Sequence, residues 1–449
     1  MTAKALSISS LASQLLVASR SGERSSAQWD ALRVFLLRAV SAGLLFFSQI
    51  ALARWMGASE YGLYVPAWTC VLVLGGLSHL GLGMTMMRLA PQYSASGDHD
   101  GLRGLLLGGR ALAVTSAFFV AMLAWLACYV AGDGSLHTPL TLAFLCIPLY
   151  AWMDVQDAIG RGQGWAIEGM VAPYIIRPLI LLLAIGTLHL ADLPTTAETA
   201  MLAALAATAG AAIVQTVLIE RRIAATIPRG VMRFEVLGWL KISLPLLAVM
   251  ASEVVIQNAD VLLLSLYRPS HEIGIYYAAA KTTALALFIQ YAIGSAYAGR
   301  ISAAGALDDK ARVATLTAEA VRWTFLPTSV VIAGIAALGY PILSQFGEGF
   351  TDAYPLIFIA AVGILARSSV GPSEVILSML GMHRACALAY ATSAFVCVTL
   401  NLLLIPLWGV TGASIATSSA LVTTALLNWC LARRYLGLNI FILANLGRR

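Results

Sequence analysis

Charge is what this sequence has least of. Lys and Arg together number 28 and Asp and Glu 22 in 449 residues, 11% of the chain, where an ordinary soluble domain is roughly a quarter charged. With 59% of residues hydrophobic and a mean hydropathy of +0.83, the shortage excludes a water-soluble fold. Cysteine is scarce as well. Cys70, Cys128, Cys146, Cys386, Cys397 and Cys430 all lie inside apolar runs without metal-ligand spacing, which reads as small buried hydrophobes and not as a disulfide framework or a zinc site. Hydrophilic loops are nearly missing on one side: GDGSLH at 132–137, GEGF at 347–350 and almost nothing between 408 and 412. They leave no room outside for an enzyme site. The first thirty residues, with Lys4, Arg20 and Arg24 among serines and alanines, lack the apolar segment and cleavage site of a signal peptide and read as a cytoplasmic tail. The net charge of +6 does not argue for nucleic acid, because cations in a membrane protein gather on one side of the bilayer for topological reasons. No cofactor is expected.

The apolar residues fall into twelve runs, each near the ~20 residues that cross a ~30 Å hydrocarbon core as helix. They cover 33–53, 63–87, 105–131, 138–158, 165–189, 198–220, 241–266, 273–297, 318–344, 353–379, 385–408 and 412–432. Continuous runs of this length exclude a spanning β-barrel, whose strands alternate. One set of alternate connections holds Arg88, Arg103, Arg161, Arg221, Arg222, Arg229, Arg233, Arg300, Lys310, Arg312, Arg384, Arg433, Arg434, Arg448 and Arg449, whereas the other has Arg54 and Arg268. The positive-inside rule then puts both termini in the cytoplasm.

RWMGASEYGLY at 54–64 returns as YRPSHEIGIYY at 267–277, so that Glu60, Gly62 and Tyr64 recur 212 residues later as Glu272, Gly274 and Tyr276. The same offset carries Arg88 onto Arg300 and Arg110 onto Arg322. The chain is two copies of one unit. Six spans per copy is an even number, so the copies point the same way about an axis along the membrane normal. The expected division is a tail at 1–30, an N-lobe at 31–220, a linker at 221–240, a C-lobe at 241–435 and a cytoplasmic tail at 436–449. The linker, RRIAATIPRGVMRFEVLGWL, reads either as an amphipathic piece on the inner leaflet or as a basic loop. Trp55, Tyr61, Tyr64, Trp68, Tyr267, Tyr276 and Tyr277 crowd the outer boundary, as an interfacial belt would.

Arg38, Arg177, Lys281 and Arg367, with Glu253 and Asp260, lie inside the predicted spans. Such groups cost about 2.5–3.5 kcal/mol at the bilayer centre and face a bundle interior or a wet cavity. Arg38 is only roughly 7 Å of helix rise from the inner end of its span, so snorkelling competes with a cavity role. Arg177 sits near the midplane between Pro173 and Pro178, beyond snorkelling range. Arg367 has Glu374 seven residues on as a candidate partner. Glu253, Gln257 and Asp260 share one face of the seventh span, and Lys281 enters the eighth at matching depth, which predicts an Asp260–Lys281 ion pair. Asp154, Asp157 and Arg161 read as a capped, partly hydrated inner rim, and His79 and His189, near span ends, as packing side chains ahead of a proton-carrying role.

MGASEYGLY with LGLG at 80–83 and Arg88, NADVLLLSLYRPSHEIGIYYAAAK at 258–281 and NLLLIPLWGVTGASIATSSA at 401–420 resemble the bacterial O-antigen and exopolysaccharide flippases. These belong to the multidrug/oligosaccharidyl-lipid/polysaccharide exporter superfamily, and the resemblance covers nearly all of the chain after residue 31. It implies an all-α polytopic protein of about twelve helices in two parallel six-helix lobes around a central cavity. Alternating access would move undecaprenyl-diphosphate-linked oligosaccharide across the bacterial inner membrane, beside the polysaccharide polymerase machinery. Arginine's planar fork suits a diphosphate, so Arg177, Arg38, Lys281 and Arg367 are the candidate substrate-binding cations, with Glu253, Gln257 and Asp260 as a sugar-facing or ion-coupling face. A monomer is expected, because two lobes already supply both cavity walls. A cation-coupled multidrug antiporter and a peptidoglycan-precursor flippase remain as alternatives. A polysaccharide polymerase or ligase ranks lowest, because it would need a sizeable external loop.

Overall fold

The computed structural model describes residues 24–132 and 134–445, with side chains from Arg33 onward; the tail cations Lys4, Arg20, Arg448 and Arg449 lie outside the described residues, as does the Arg24 side chain. In chain order the helices are α1 (Arg24–Ser78), α2 (Leu82–Ala95), α3 (His99–Ala131), α4 (His137–Gly162), α5 (Ala166–Val171), α6 (Arg177–Leu190) and α7 (Ala197–Thr226). Then come α8 (Val236–Tyr267), α9 (Ser270–Ala284), α10 (Leu287–Ala306), α11 (Lys310–Ser344), α12 (Tyr354–Ser368), α13 (Ser373–Met379), α14 (His383–Tyr435) and α15 (Ile442–Asn445). Two are double length. α1 carries spans one and two across Gly57, at φ 76°, and α14 carries spans eleven and twelve across Gly409, at φ 56°. Spans two, five, eight and ten are each divided into shorter pieces. The result is the expected twelve-helix, two-lobe bundle, with no strand among the described residues.

The repeated motif is the place where the two copies cross. Gly62 and Gly274 face each other: a Cβ on Gly62 would overlap the Ser270 carbonyl and lie 3.0 Å from the Gly274 nitrogen, and one on Gly274 would lie 2.5 Å from the Ala58 carbonyl oxygen. Only glycine permits that backbone approach. The flanking tyrosines are not an interfacial belt as the sequence predicts. Tyr61, Tyr64, Tyr276 and Tyr277 are all buried, and Tyr61 packs edge-on against Tyr277 at 6.1 Å and donates to Gln49 Oε1 at 2.8 Å. Short connections leave these rings next to the other lobe, so they form the shared core. Glu60 accepts from the Ala197 N–H at 2.7 Å and so satisfies a free donor at the start of α7. Its repeat counterpart Glu272 instead lies 3.9 Å from Arg268, whose guanidinium is laid against Gly409.

Two segments outside the spans pack onto the lobes. Residues 228–235 of the linker form no helix or strand, and their polar groups are taken up by the N-lobe. The Arg233 N–H donates to the Asp100 carbonyl at 3.0 Å, its guanidinium pairs with Asp98 and Glu235, and Arg103 donates to the Val231 carbonyl at 2.8 Å. The Gly101 N–H first, and Arg233 after it, hold the Asp98 carboxyl below the usual carboxylate range. At the other end, residues 436–445 fold back onto the C-lobe. Ile440, Ile442 and Asn445 are buried, and the Ile442 N–H donates at 2.9 Å to the Ser369 carbonyl, which the break in span ten sets free. Cys146, Cys386 and Cys397 are buried thiols as expected, Cys70 and Cys128 are half-buried, and Cys430 is exposed.

The lobe crossing predicts a clean contrast between two glycines. Gly62→Ala forces the helices apart and costs about 1–3 kcal/mol by overpacking, seen as a lower Tm of the detergent-solubilised protein. Gly76→Ala, with nothing within 4 Å of its Cβ position, leaves Tm unchanged or raises it. Equal responses would contradict the crossing.

Candidate functional site

Spans seven, eight, ten and twelve of the C-lobe enclose a cavity of about 360 Å³. Five of the seven candidate side chains line it: Glu253, Gln257, Asp260, Lys281 and Arg367. A fifth charged side chain is added to the lining by the fold. Span ten breaks at Ser369–Pro372, with Gly371 at φ 62°, and the restart at α13 turns Glu374 into the cavity. The Gly371-Pro372 pair in mid-span is the signal for it in the sequence. The lining therefore carries three carboxylates against two cations.

The internal contacts also differ from the predicted pairing. Asp260 is not bridged to Lys281. Its carboxylate accepts from the Val261 N–H at 2.8 Å, the Tyr276 hydroxyl at 2.5 Å and the Thr417 hydroxyl at 3.1 Å, tying spans seven, eight and twelve together. Lys281 instead places Nζ 4.7 Å from the Tyr277 ring centre, a cation–π contact. Arg367 does find Glu374, at 3.1 Å, and the Tyr390 hydroxyl joins both. Gln257 donates to Glu253 at 3.1 Å. Span eight is divided at Leu285–Ala286, one turn beyond Lys281, so the cavity is bordered by two broken helices. Irregular backbone at membrane depth is tolerated where it lines such a space.

Arg38 and Arg177 stand apart from this set. Arg177 follows a π turn at Ala172–Ile176 and donates its N–H to the Ala172 carbonyl; wide turns of this kind are frequent at functional positions. Its guanidinium lies 4.8 Å from the Trp68 ring centre and 6.0 Å from that of Tyr150, between two small N-lobe pockets of about 40 and 30 Å³. No carboxylate lies within 4 Å of it among the described residues. Arg38 does not snorkel. Its guanidinium is turned inward, 4.3 Å from the Tyr174 ring centre and 5.7 Å from that of Tyr291. Tyr174 lines an N-lobe pocket and Tyr291 the C-lobe cavity, so Arg38 bridges the lobes.

Asp157 pairs with Arg161 at 2.9 Å, as a rim would. Asp154, however, reaches His79 at 2.8 Å, a pairing that sequence spacing does not reveal. His189 stacks on Trp55 at 5.5 Å. No group of three or more His, Cys, Asp or Glu side chains forms a metal site among the described residues.

The Arg367–Glu374–Tyr390 network predicts strong non-additivity. Arg367→Leu strands Glu374 and lowers Tm, a loss on the order of 1–3 kcal/mol, and adding Glu374→Leu recovers most of it. Thermal unfolding of the single and double variants decides; additive losses would contradict the network.

No protein-family model matches the chain, and no curated protein matches it. Solved structures do. An inward-facing multidrug resistance MATE family transporter of the MOP superfamily has a TM-score of 0.70 and 13% identity over 88% of this chain and 94% of its own. The lipid II flippase MurJ, in an inward closed conformation, has 0.71 and 13% over 90% and 87%. A MOP superfamily transporter from Pyrococcus furiosus, described by the reverse polarity of its binding pocket, has 0.66 and 13% over 91% and 95%. At that identity the likeness is one of fold: the chain has the twelve-helix architecture of these transporters.

Proposed function

We propose that the chain is a flippase of the bacterial inner membrane that carries diphosphate-linked oligosaccharides on a polyprenyl lipid across the bilayer by alternating access. The observation that carries this reading is the pair Arg38 and Arg177, two half-buried guanidiniums within the spans, each laid on aromatic rings and with no carboxylate within 4 Å among the described residues. A cation kept in that state is a fork held ready for an anion. Arg177 takes the diphosphate, with Arg38 at the seam between the lobes and Lys281 and Arg367 on the C-lobe side. Glu253, Gln257 and Asp260 face the sugar hydroxyls or bind the coupling ion. The lipid tail stays in the bilayer, both termini lie in the cytoplasm, and one chain acts alone, without a cofactor and without catalysing a bond change. A polysaccharide polymerase would receive the cargo outside.

One observation favours a second reading. Three carboxylates, Glu253, Asp260 and Glu374, line the larger cavity, and acids of that kind suit a cation-coupled antiporter of cationic drugs. The two readings part on Arg177.

In a strain lacking the gene, undecaprenyl-linked sugars accumulate in the inner leaflet and the wild-type gene clears them. Arg177→Ala, at normal protein level, loses the ~1.5–3 kcal/mol of a charge-assisted contact and clears them about 10- to 100-fold more slowly. Unchanged lipid-linked pools, together with gained tolerance to cationic dyes, would replace the flippase reading with the antiporter.

A further inference from the structure

The pair His79–Asp154 has no part in the proposed binding of cargo, and its surroundings set it apart. His79 is completely buried, and its Nε2 lies 2.8 Å from Asp154 Oδ2. Asp154 is 29% exposed and lines the N-lobe pocket that also holds Asp157, Tyr174 and Arg177. One partner is therefore sealed and the other is open to a polar space. His79 Nδ1 has no hydrogen-bond partner among the described residues.

The histidine also sits on a hinge. Span two is broken at His79–Gly81, and both Leu80 and Gly81 adopt left-handed backbone, at φ 55° and 72°. Gly81 is pressed against the opposite lobe: a Cβ there would lie 2.6 Å from the Ser243 carbonyl oxygen and 3.1 Å from the Leu247 nitrogen of α8. Non-glycine residues in that region of backbone space mark places where surrounding contacts impose the conformation. The break, the half-sealed titratable pair and the contact between lobes thus all meet at His79–Gly81.

We propose that His79 and Asp154 form a proton site whose occupancy sets the bend of span two, and through Gly81 the fit of the N-lobe against span seven. The proton enters from the N-lobe pocket onto the Asp154–His79 pair and leaves by the same path; no other bond changes. Loading a proton turns the contact into an imidazolium–carboxylate ion pair with no net charge, which tightens Asp154 on the hinge and weakens the pair's hold on Arg161. Release of the proton leaves one net negative charge, loosens the tie to His79 and lets the hinge relax. The ionisable groups around the pair are Asp157, Arg161 and Tyr150 on α4, and Tyr174 and Arg177 on span five, with Arg38 of span one beyond Asp157. From span three, Ser116 donates to the Ser78 carbonyl, and Arg110 is engaged by Glu220. The facing stretch of α8 presents Ser243 and Leu247, with the exposed Lys241 at its inner end. The proposal rests on the alternating-access reading but not on the identity of the cargo.

The test is a distance measured between spin labels at the exposed Ser96→Cys and Lys310→Cys on the inner ends of the two lobes, in a Cys430→Ser background in nanodiscs, from pH 5 to 8. Histidine ordinarily titrates in that window. The expected result is a pH-dependent shift in the label distance that is lost in both His79→Gln and Asp154→Asn. The second variant, at a partly exposed position, guards against a folding failure of the first. A parent distance that does not change with pH, or a shift that survives in Asp154→Asn, would overturn the proposal. The same preparations are assayed for movement of an undecaprenyl-diphosphate oligosaccharide in vesicles. A pH response through His79 without lipid movement keeps the proton site and removes the cargo, whereas lipid movement without a pH response does the reverse.

Discussion

Inside hydrocarbon a freed carbonyl or an ionised side chain has no water to turn to, and that constraint organises this molecule. Its spans are broken at 79–81, 172–176, 285–286 and 369–372, and each break has its own answer. Leu82 N–H returns to the His79 carbonyl, Arg177 N–H reaches five residues back to Ala172, Ile289 N–H turns to Ala286, and Ile442 from the folded-back terminus supplies Ser369. The ionisable groups collect at the same places: His79 in the first break, Arg177 after the second, Lys281 a turn before the third, Arg367 and Glu374 on either side of the fourth. A broken helix both exposes backbone dipoles and opens a polar space, so it is where a membrane protein can keep a charge.

The two copies have used this freedom differently. Their crossing is preserved, because Gly62 and Gly274 admit the same backbone approach from each side. Away from it they diverge. Glu60 caps α7, whereas Glu272 turns to Arg268. The C-lobe opens a cavity with an acid majority, and the N-lobe keeps small pockets around an arginine held by aromatic rings. A duplicated bundle has in this way become a pair of unlike chambers: three carboxylates and two cations line the C-lobe cavity, whereas in the N-lobe Arg177 shares a small pocket with Asp154 and Asp157.

Much of this is legible in the residues alone. The motif at 54–64 and its copy share residues that do something geometric, since glycine permits a crossing and tyrosine fills a core in both, while glutamate meets the start of a neighbouring helix in the first copy alone. Twelve spans follow from run length alone. Azimuth does not. Asp260 and Lys281 share a depth, but depth says nothing of which neighbour each helix turns its face toward, and the hydroxyls of Tyr276 and Thr417 reach the carboxylate first. A straight helix through Gly371-Pro372 would carry Glu374 toward the inner surface, and only the break at that pair turns it into the cavity. For the buried tyrosines, sequence supplies height in the membrane but not the lobe that covers them, so a boundary belt and a shared core look alike. His79 and Asp154 lie 75 residues apart, and no local spacing joins them.

The proposed cargo site is the two arginines without an ion-pair partner among the described residues, Arg38 and Arg177, held apart from the C-lobe carboxylates Glu253, Asp260 and Glu374. Binding of undecaprenyl diphosphate to the purified protein, followed by native mass spectrometry, tests it most directly. The account predicts that Arg177→Ala weakens binding about tenfold or more, while Asp260→Asn leaves it within about twofold. Loss of binding in Asp260→Asn with Arg177→Ala unaffected would contradict it.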